Sequence, residues 1–144
     1  MEISEIKFSQ LEQELSKTGK PHLDYLAPEF GKAYIIAITR DGCPSCEKQK
    51  PKLNQLAKRI TANHGGKTVF TRIHVKYNPD AQEESLRSKA TLGHYFYPTN
   101  LILLRTPDRG ASEYYRNVSP EMDELEKNIE KAVETATMFE KTVK

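Results

Sequence analysis

An almost uninterrupted apolar run at residues 33–39, AYIIAIT, constrains the fold of this chain more than any other stretch. Several of its residues are β-branched, and apolar and polar positions do not alternate along it. Such a run is typical of a strand that is covered on both faces, as in sheets with helices on either side. The sequence therefore predicts a central strand here, not an edge strand.

The rest of the chain alternates between helical and extended patterns. Ser9 and Glu12 have the spacing of a capping box and predict the start of a first helix, which Gly19 and Pro21 end. The further predicted elements are a helix at 44–63, a strand at 67–77, a short helix at 81–90, a hairpin of strands 100–105 and 112–118, and a last helix that starts at Ser119 and Pro120. A mixed sheet of four strands follows, or of five if residues 3–8 add one, in a three-layer α/β/α domain.

Composition excludes several classes of protein. The 144 residues fit one domain, and 22 basic against 20 acidic residues give a net charge of +2, unlike the strongly basic face of a nucleic-acid-binding module. The longest apolar run has six residues, which is too short to cross a membrane. The start of the chain lacks the pattern of a secretory signal, so we expect a cytoplasmic protein, and we also expect a monomer.

The two cysteines, Cys43 and Cys46, lie where the predicted central strand gives way to a helix. Pro44 suits the first helical turn, because the amide that proline lacks would be unpaired there. The first turn of a helix stabilises a thiolate, so the pKa of Cys43 should be lowered, and only a thiolate attacks a disulfide. Ser45 and Arg40 would favour the thiolate further, whereas Asp41 would oppose it.

Other interpretations of the pair stay open at this point. Half a zinc site is one, but no second CxxC is present and the four histidines lack the H-x₃₋₅-H spacing, so we predict no metal. A static structural bridge is another, although such bridges persist poorly in a reducing cytosol.

The chain resembles the thioredoxin family over about residues 30–136. The motifs that carry the resemblance are CPSC at 43–46 with Pro51 in the following helix, Asn78-Pro79 after a strand, and Tyr97-Pro98-Thr99 ahead of an apolar strand. The resemblance implies a thioredoxin fold, with residues 1–30 as an N-terminal helical extension and 137–144 as a C-terminal tail.

The resemblance also implies roles for individual residues. Cys43 would be the nucleophile and Cys46 the resolving thiol, supported by Pro44 and Ser45. Pro98 would be the family's cis-proline, packed against the pair, and Tyr97 and Thr99 would contact an extended substrate peptide. The resemblance implies no cofactor other than the redox-active disulfide itself. It implies protein disulfides and a thiol reductant or oxidant as partners.

Several positions depart from the family pattern, among them Pro44-Ser45, which replaces Gly-Pro between the cysteines. Gly42 stands where the family has tryptophan, and Ala37 where thioredoxins have a buried aspartate that accepts a proton. The glycine ahead of the last helix is replaced within RNVS. Arg72 matches a basic residue but lacks its acidic partner, and either lies near the thiols, where its charge would favour a thiolate, or belongs with His74 to a polar rim. His94 and Tyr97 either line a substrate patch or belong to the core.

We therefore expect a thiol–disulfide oxidoreductase that acts on protein substrates. The alternative is a binding module whose thiols are peripheral and whose groove holds a partner protein. The direction of the reaction is not encoded in any recognisable way between the two cysteines.

Overall fold

The computed structural model describes residues 3–118 and 122–143. Its strands are β1 (Ile3–Lys7), β2 (Ala33–Arg40), β3 (Thr68–Val75), β4 (Thr99–Thr106) and β5 (Gly110–Asn117). Its helices are α1 (Phe8–Thr18), α2 (His22–Leu26), α3 (Pro44–His64), α4 (Glu83–Leu92) and α5 (Met122–Thr142). The predicted start of the last helix at Ser119 and Pro120 lies outside the described residues.

One mixed sheet contains all five strands in the order β1-β3-β2-β4-β5. β1 and β2 each pair with β3 in parallel, while β2–β4 and β4–β5 are antiparallel. The predicted mixed sheet, its central strand β2 and its closing hairpin are confirmed. The fifth strand, which the sequence left open, is β1.

Two apolar layers hold the helices against the sheet. Ile35 and Ala37 of β2 face a cluster that includes α3 and α5, whereas Tyr34, Ile36 and Ile38 face a cluster that includes α1 and the end of α4. Every residue from 33 to 39 is therefore buried. This two-sided burial explains why the strand is apolar at successive positions.

The N-terminal segment differs from the prediction. Helix α1 begins at Phe8, one residue after β1 ends, and the Lys7 amide donates to Gln10 Oε1 at 3.0 Å, so the box predicted from Ser9 and Glu12 is wrong. Glu12 pairs with Arg87 of α4 instead. Residues 1–30 were expected to be a helical extension, yet this segment contributes β1 to the central sheet.

The C-terminal segment also differs. Residues 137–142, expected to be a tail, continue helix α5. Phe139 packs against the core, and Lys67 Nζ donates to Thr137 Oγ1 at 3.0 Å, so contacts with the domain extend the helix. Among the helices of residues 3–118 and 122–143, none is long and apolar enough to cross a membrane.

Candidate functional site

Cys43 and Cys46 lie at the start of α3, directly after β2 and a two-residue turn, and form a disulfide. Cys43 is the N-cap residue, and its Sγ accepts a hydrogen bond from the Cys46 amide at 3.2 Å. Both side chains are almost fully buried, while Pro44 and Ser45 between them are exposed. A sulfur at this position would be stabilised as a thiolate by the unpaired amides and the positive end of the helix dipole.

The loop before β4 lies against the disulfide. The Tyr97–Pro98 peptide bond is cis, and the Tyr97 carbonyl oxygen is 3.7 Å from Cys43 Sγ. The Tyr97 hydroxyl lies 2.9 Å from Ser85 Oγ and 3.0 Å from Ser88 Oγ, both in α4. Tyr97 is therefore fixed by α4 at its ring and faces Cys43 with its backbone.

Thr99, which the resemblance placed against a substrate, is buried, and so is His94, for which a place in the core was one of two interpretations. The Thr99 hydroxyl donates to the Phe96 carbonyl at 2.6 Å, so its side chain secures the loop and is not open to a substrate. His94 is fully buried, with Nε2 3.1 Å from Ser88 Oγ and its ring edge-on to Tyr97, and the interpretation as part of a surface patch is wrong. Burial disfavours the charged imidazole and lowers the pKa of His94 to about 4.

The exposed part of this loop is formed by Tyr95 and Phe96, whose exposed fractions are 78% and 61%. The sequence signal for them was the aromatic run ahead of Pro98. That run does not reveal which members face outward, because the loop has no regular period. Two exposed aromatic rings therefore lie in the same loop as the Tyr97 carbonyl that faces Cys43.

Arg40 braces the turn before Cys43. Its Nη1 donates to the carbonyls of Asp41 at 2.7 Å and Gly42 at 3.2 Å, and its guanidinium lies 4.0 Å from the centre of the Tyr77 ring. Gly42 has a φ of +61°, which disfavours any side chain. The absence of a large residue before Cys43 therefore matches the backbone of this turn.

Asp41 belongs to a hydrogen-bonded row that links the turn to the sheet. Its Oδ1 lies 2.7 Å from His74 Nε2, its Oδ2 accepts from the Tyr77 amide at 3.1 Å, and His74 Nδ1 lies 2.9 Å from Thr39 Oγ1. The hydrogen bond from His74, followed by the one from Tyr77, lowers the pKa of Asp41. The carboxylate is therefore directed toward His74 and not toward the sulfur atoms.

Arg72 pairs with Ala37 across β3 and β2, and its side chain is only 12% exposed. Ala37 gives it no acidic partner, as expected, but its Nη1 lies 3.5 Å from Oε1 of a different acid, Glu5. Glu5 belongs to β1, whose place in the sheet the sequence left open. Arg72 and Cys46 line one cavity of about 220 Å³, which supports the interpretation that Arg72 lies near the thiols.

A buried amide cluster lies one helical turn beyond Cys46. Gln49 and Asn100 exchange hydrogen bonds of 3.0 and 2.8 Å, and Asn100 also donates to Asn117 Oδ1 at 2.9 Å. Sequence reasoning missed this cluster, because a lone amide in a helix or strand pattern gives no sign of its partner.

Within residues 3–118 and 122–143, no group of three or more histidine, cysteine or acidic side chains is placed to hold a metal ion.

No protein-family model matches the sequence, and a search of curated proteins found no match. Solved structures do match. Thioredoxin NaTrxh from Nicotiana alata aligns at 20% identity with a TM-score of 0.60, covering 91% of this chain and 92% of that one. The short form of spinach chloroplast thioredoxin f aligns at 19% identity and 0.58, covering 90% and 92%.

A chain from the crystal structure of the ferredoxin:thioredoxin reductase and thioredoxin f2 complex aligns at 18% identity with a TM-score of 0.57, covering 90% of this chain and 94% of that one. At such identities the likeness concerns the backbone. The sheet order, the flanking helices and a disulfide in CxxC spacing agree with it. The chain has the thioredoxin fold.

Proposed function

We propose that this protein is a thiol–disulfide oxidoreductase that exchanges the Cys43–Cys46 pair with protein disulfides. The observation that carries the proposal is the position of Cys43 at the N-cap of α3, where its sulfur accepts the Cys46 amide. In the reduced protein this amide and the helix dipole favour the Cys43 thiolate, which is the form that attacks a disulfide. Cys46, in the next turn, would then resolve the mixed disulfide.

The loop at 95–98 is proposed as the client-binding surface. The Tyr97 carbonyl lies beside Cys43, and an extended peptide could pair with this stretch of backbone as an added strand. Tyr95 and Phe96 would supply apolar contacts on either side of a client cysteine. We expect Phe96→Ser to raise the KM for a protein disulfide severalfold and to leave the midpoint potential unchanged, because the ring is 61% exposed and largely free of the fold.

The proposed electron donor or acceptor is a second protein. One matching structure contains a thioredoxin with a protein reductase, which makes a protein reductant a reasonable class to test. A resident cofactor is not part of the proposal, since the disulfide itself carries the two electrons. A monomeric state and a cytoplasmic location stay predictions.

The midpoint potential of Cys43–Cys46 tests the proposal. The protein is equilibrated in buffers of defined dithiol ratio, and free thiols are trapped with a mass tag. We expect a reversible two-electron transition between about −270 mV, as in reductants, and about −120 mV, as in strong oxidants. Cys43→Ser is the control and should show no transition. A pair that does not cycle would overturn the proposal and favour a partner-binding module instead.

A further inference from the structure

The cavity of about 220 Å³ beside Cys46 has walls from four elements of the domain. Glu5 of β1, Thr39 of β2, Cys46 of α3 and Arg72 and His74 of β3 line it, together with Arg40, Glu47 and Lys50. Cys46 and Thr39 are otherwise buried, so this cavity is their opening to polar surroundings. It has room for several water molecules, and polar side chains surround it.

Thr39, His74 and Asp41 form a hydrogen-bonded row that begins in this cavity. The negative charge of Asp41 decides which atoms of the row donate and which accept. The Asp41 carboxylate is an acceptor, so the Nε2 atom of His74, 2.7 Å away, carries a proton and donates it to that bond. In the neutral imidazole, Nδ1 then has a free lone pair, which faces the Thr39 hydroxyl at 2.9 Å. His74 is thus held with Nδ1 as a hydrogen-bond acceptor toward Thr39.

We propose that this row accepts the proton that Cys46 must lose before it resolves a mixed disulfide; the inference rests on the proposed function. The Cys46 S–H bond breaks, and its proton passes through cavity water and the Thr39 hydroxyl to His74 Nδ1. The Cys46 thiolate attacks Cys43 Sγ, and a Cys43–Cys46 bond forms. The client sulfur leaves with the electron pair of the broken bond and takes a proton from solvent, to which His74 later returns its own.

The charges around the row favour this transfer. Arg72, 12% exposed, borders the cavity and favours a thiolate on Cys46, while Asp41 holds the proton on His74 Nε2 and so leaves Nδ1 as the acceptor. Ala37, at the register position of Arg72, has no group that could accept a proton. The other charged residues that line the two cavities bordering His74 are Glu5, Lys7, Arg40, Glu47, Lys50, Lys76 and Glu84.

A two-phase reaction separates the steps. When the reduced protein meets excess 5,5′-dithiobis(2-nitrobenzoate), Cys43 releases one coloured thiolate in a phase that depends on reagent concentration, and Cys46 releases the second in a phase that does not. Both phases are followed by stopped flow from pH 5 to 9. A general base typically accelerates a reaction 10²–10⁴-fold, and without His74 water would supply part of this acceleration. His74→Gln should therefore slow the second phase about tenfold or more at pH 7.

The pH profile distinguishes proton transfer along this row (the relay) from a merely structural role of His74. In the wild type the second phase should depend on pH partly through the acceptor at His74, and His74→Gln should lose that part of the dependence while its first phase stays unchanged. Thr39→Val, which keeps the shape of the side chain, should have the same effect, and the double variant should be no slower than either single one. His64→Gln, a histidine that pairs with Glu130 instead, is the matched control and should behave as wild type.

The outcomes separate the two proposals. A normal first phase with an unaltered second-phase profile in His74→Gln and Thr39→Val would overturn the relay alone. Absence of any first phase in the wild type would overturn the oxidoreductase and the relay together.

Discussion

The buried imidazole of His94 should make the stability of this protein sensitive to mild acid. The pKa of His94 is lowered from 6.5 to about 4, chiefly because burial disfavours the charged form. Between these two values the unfolded chain binds a proton that the folded protein does not. Stability therefore falls as the pH is lowered from about 6.5 towards 4.

The size of the effect follows from the shift. Each pKa unit corresponds to about 1.4 kcal/mol, so the full shift corresponds to about 3 kcal/mol, of which about 2 kcal/mol should be lost between pH 7.5 and pH 5. His94→Gln keeps a polar group near Ser88 but removes the titration. This variant should start less stable, because it loses the contact between Nδ1 and the Phe96 carbonyl, yet it should lose about 2 kcal/mol less on acidification.

Urea unfolding at several values between pH 5 and 7.5 measures this difference. Both proteins contain the same carboxylates, so the difference between their slopes of unfolding free energy against pH isolates the contribution of His94. NMR of the imidazole protons provides a direct check, since His94 should stay neutral at pH 5. Equal losses of stability in the wild type and His94→Gln would refute the reasoning.

Two further predictions concern the surroundings of the disulfide. Gly42→Ala should cost about 1–2 kcal/mol in urea unfolding because of the φ of +61°, whereas Gly66→Ala, where a Cβ meets no atom within 4 Å and φ is not positive, should be near neutral; equal effects would contradict this account. Gln49→Leu should cost about 2 kcal/mol by leaving the buried Asn100 Oδ1 without its donor, and adding Asn100→Leu should cost less than the sum of the two single changes. Strict additivity in that double-mutant cycle would show that the two amides are not coupled.

The elements that sequence predicted well are those with a strong period or a distinct motif. The run at 33–39, the helix after the cysteines and the hairpin all have local patterns that the structure confirms. The patterns that mark these elements involve residues within a few positions of one another, so each can be recognised before its packing partners are known. Cys43 and Cys46 were placed correctly at the start of α3 for the same reason.

The features that sequence reasoning missed depend on contacts between distant parts of the chain. Glu5 reaches Arg72 because β1 adds to the sheet, a pairing that spans more than 60 residues and that no local pattern reveals. In the sequence, His94 and Tyr97 flank Tyr95 and Phe96. His94 and Tyr97 contact serines of α4, whereas the rings of Tyr95 and Phe96 project outward. Only the position of α4 against the loop separates them.

The segment 94–99 contains two free residues between anchored ones, and this has a consequence for how such a protein could diversify. His94, Tyr97 and Thr99 fix the backbone, whereas the rings of Tyr95 and Phe96 are largely free of the fold. Under the proposed function, substitutions at those two positions would change the choice of client without altering the Cys43–Cys46 pair. The choice of client could then evolve independently of the reactivity of the Cys43–Cys46 pair.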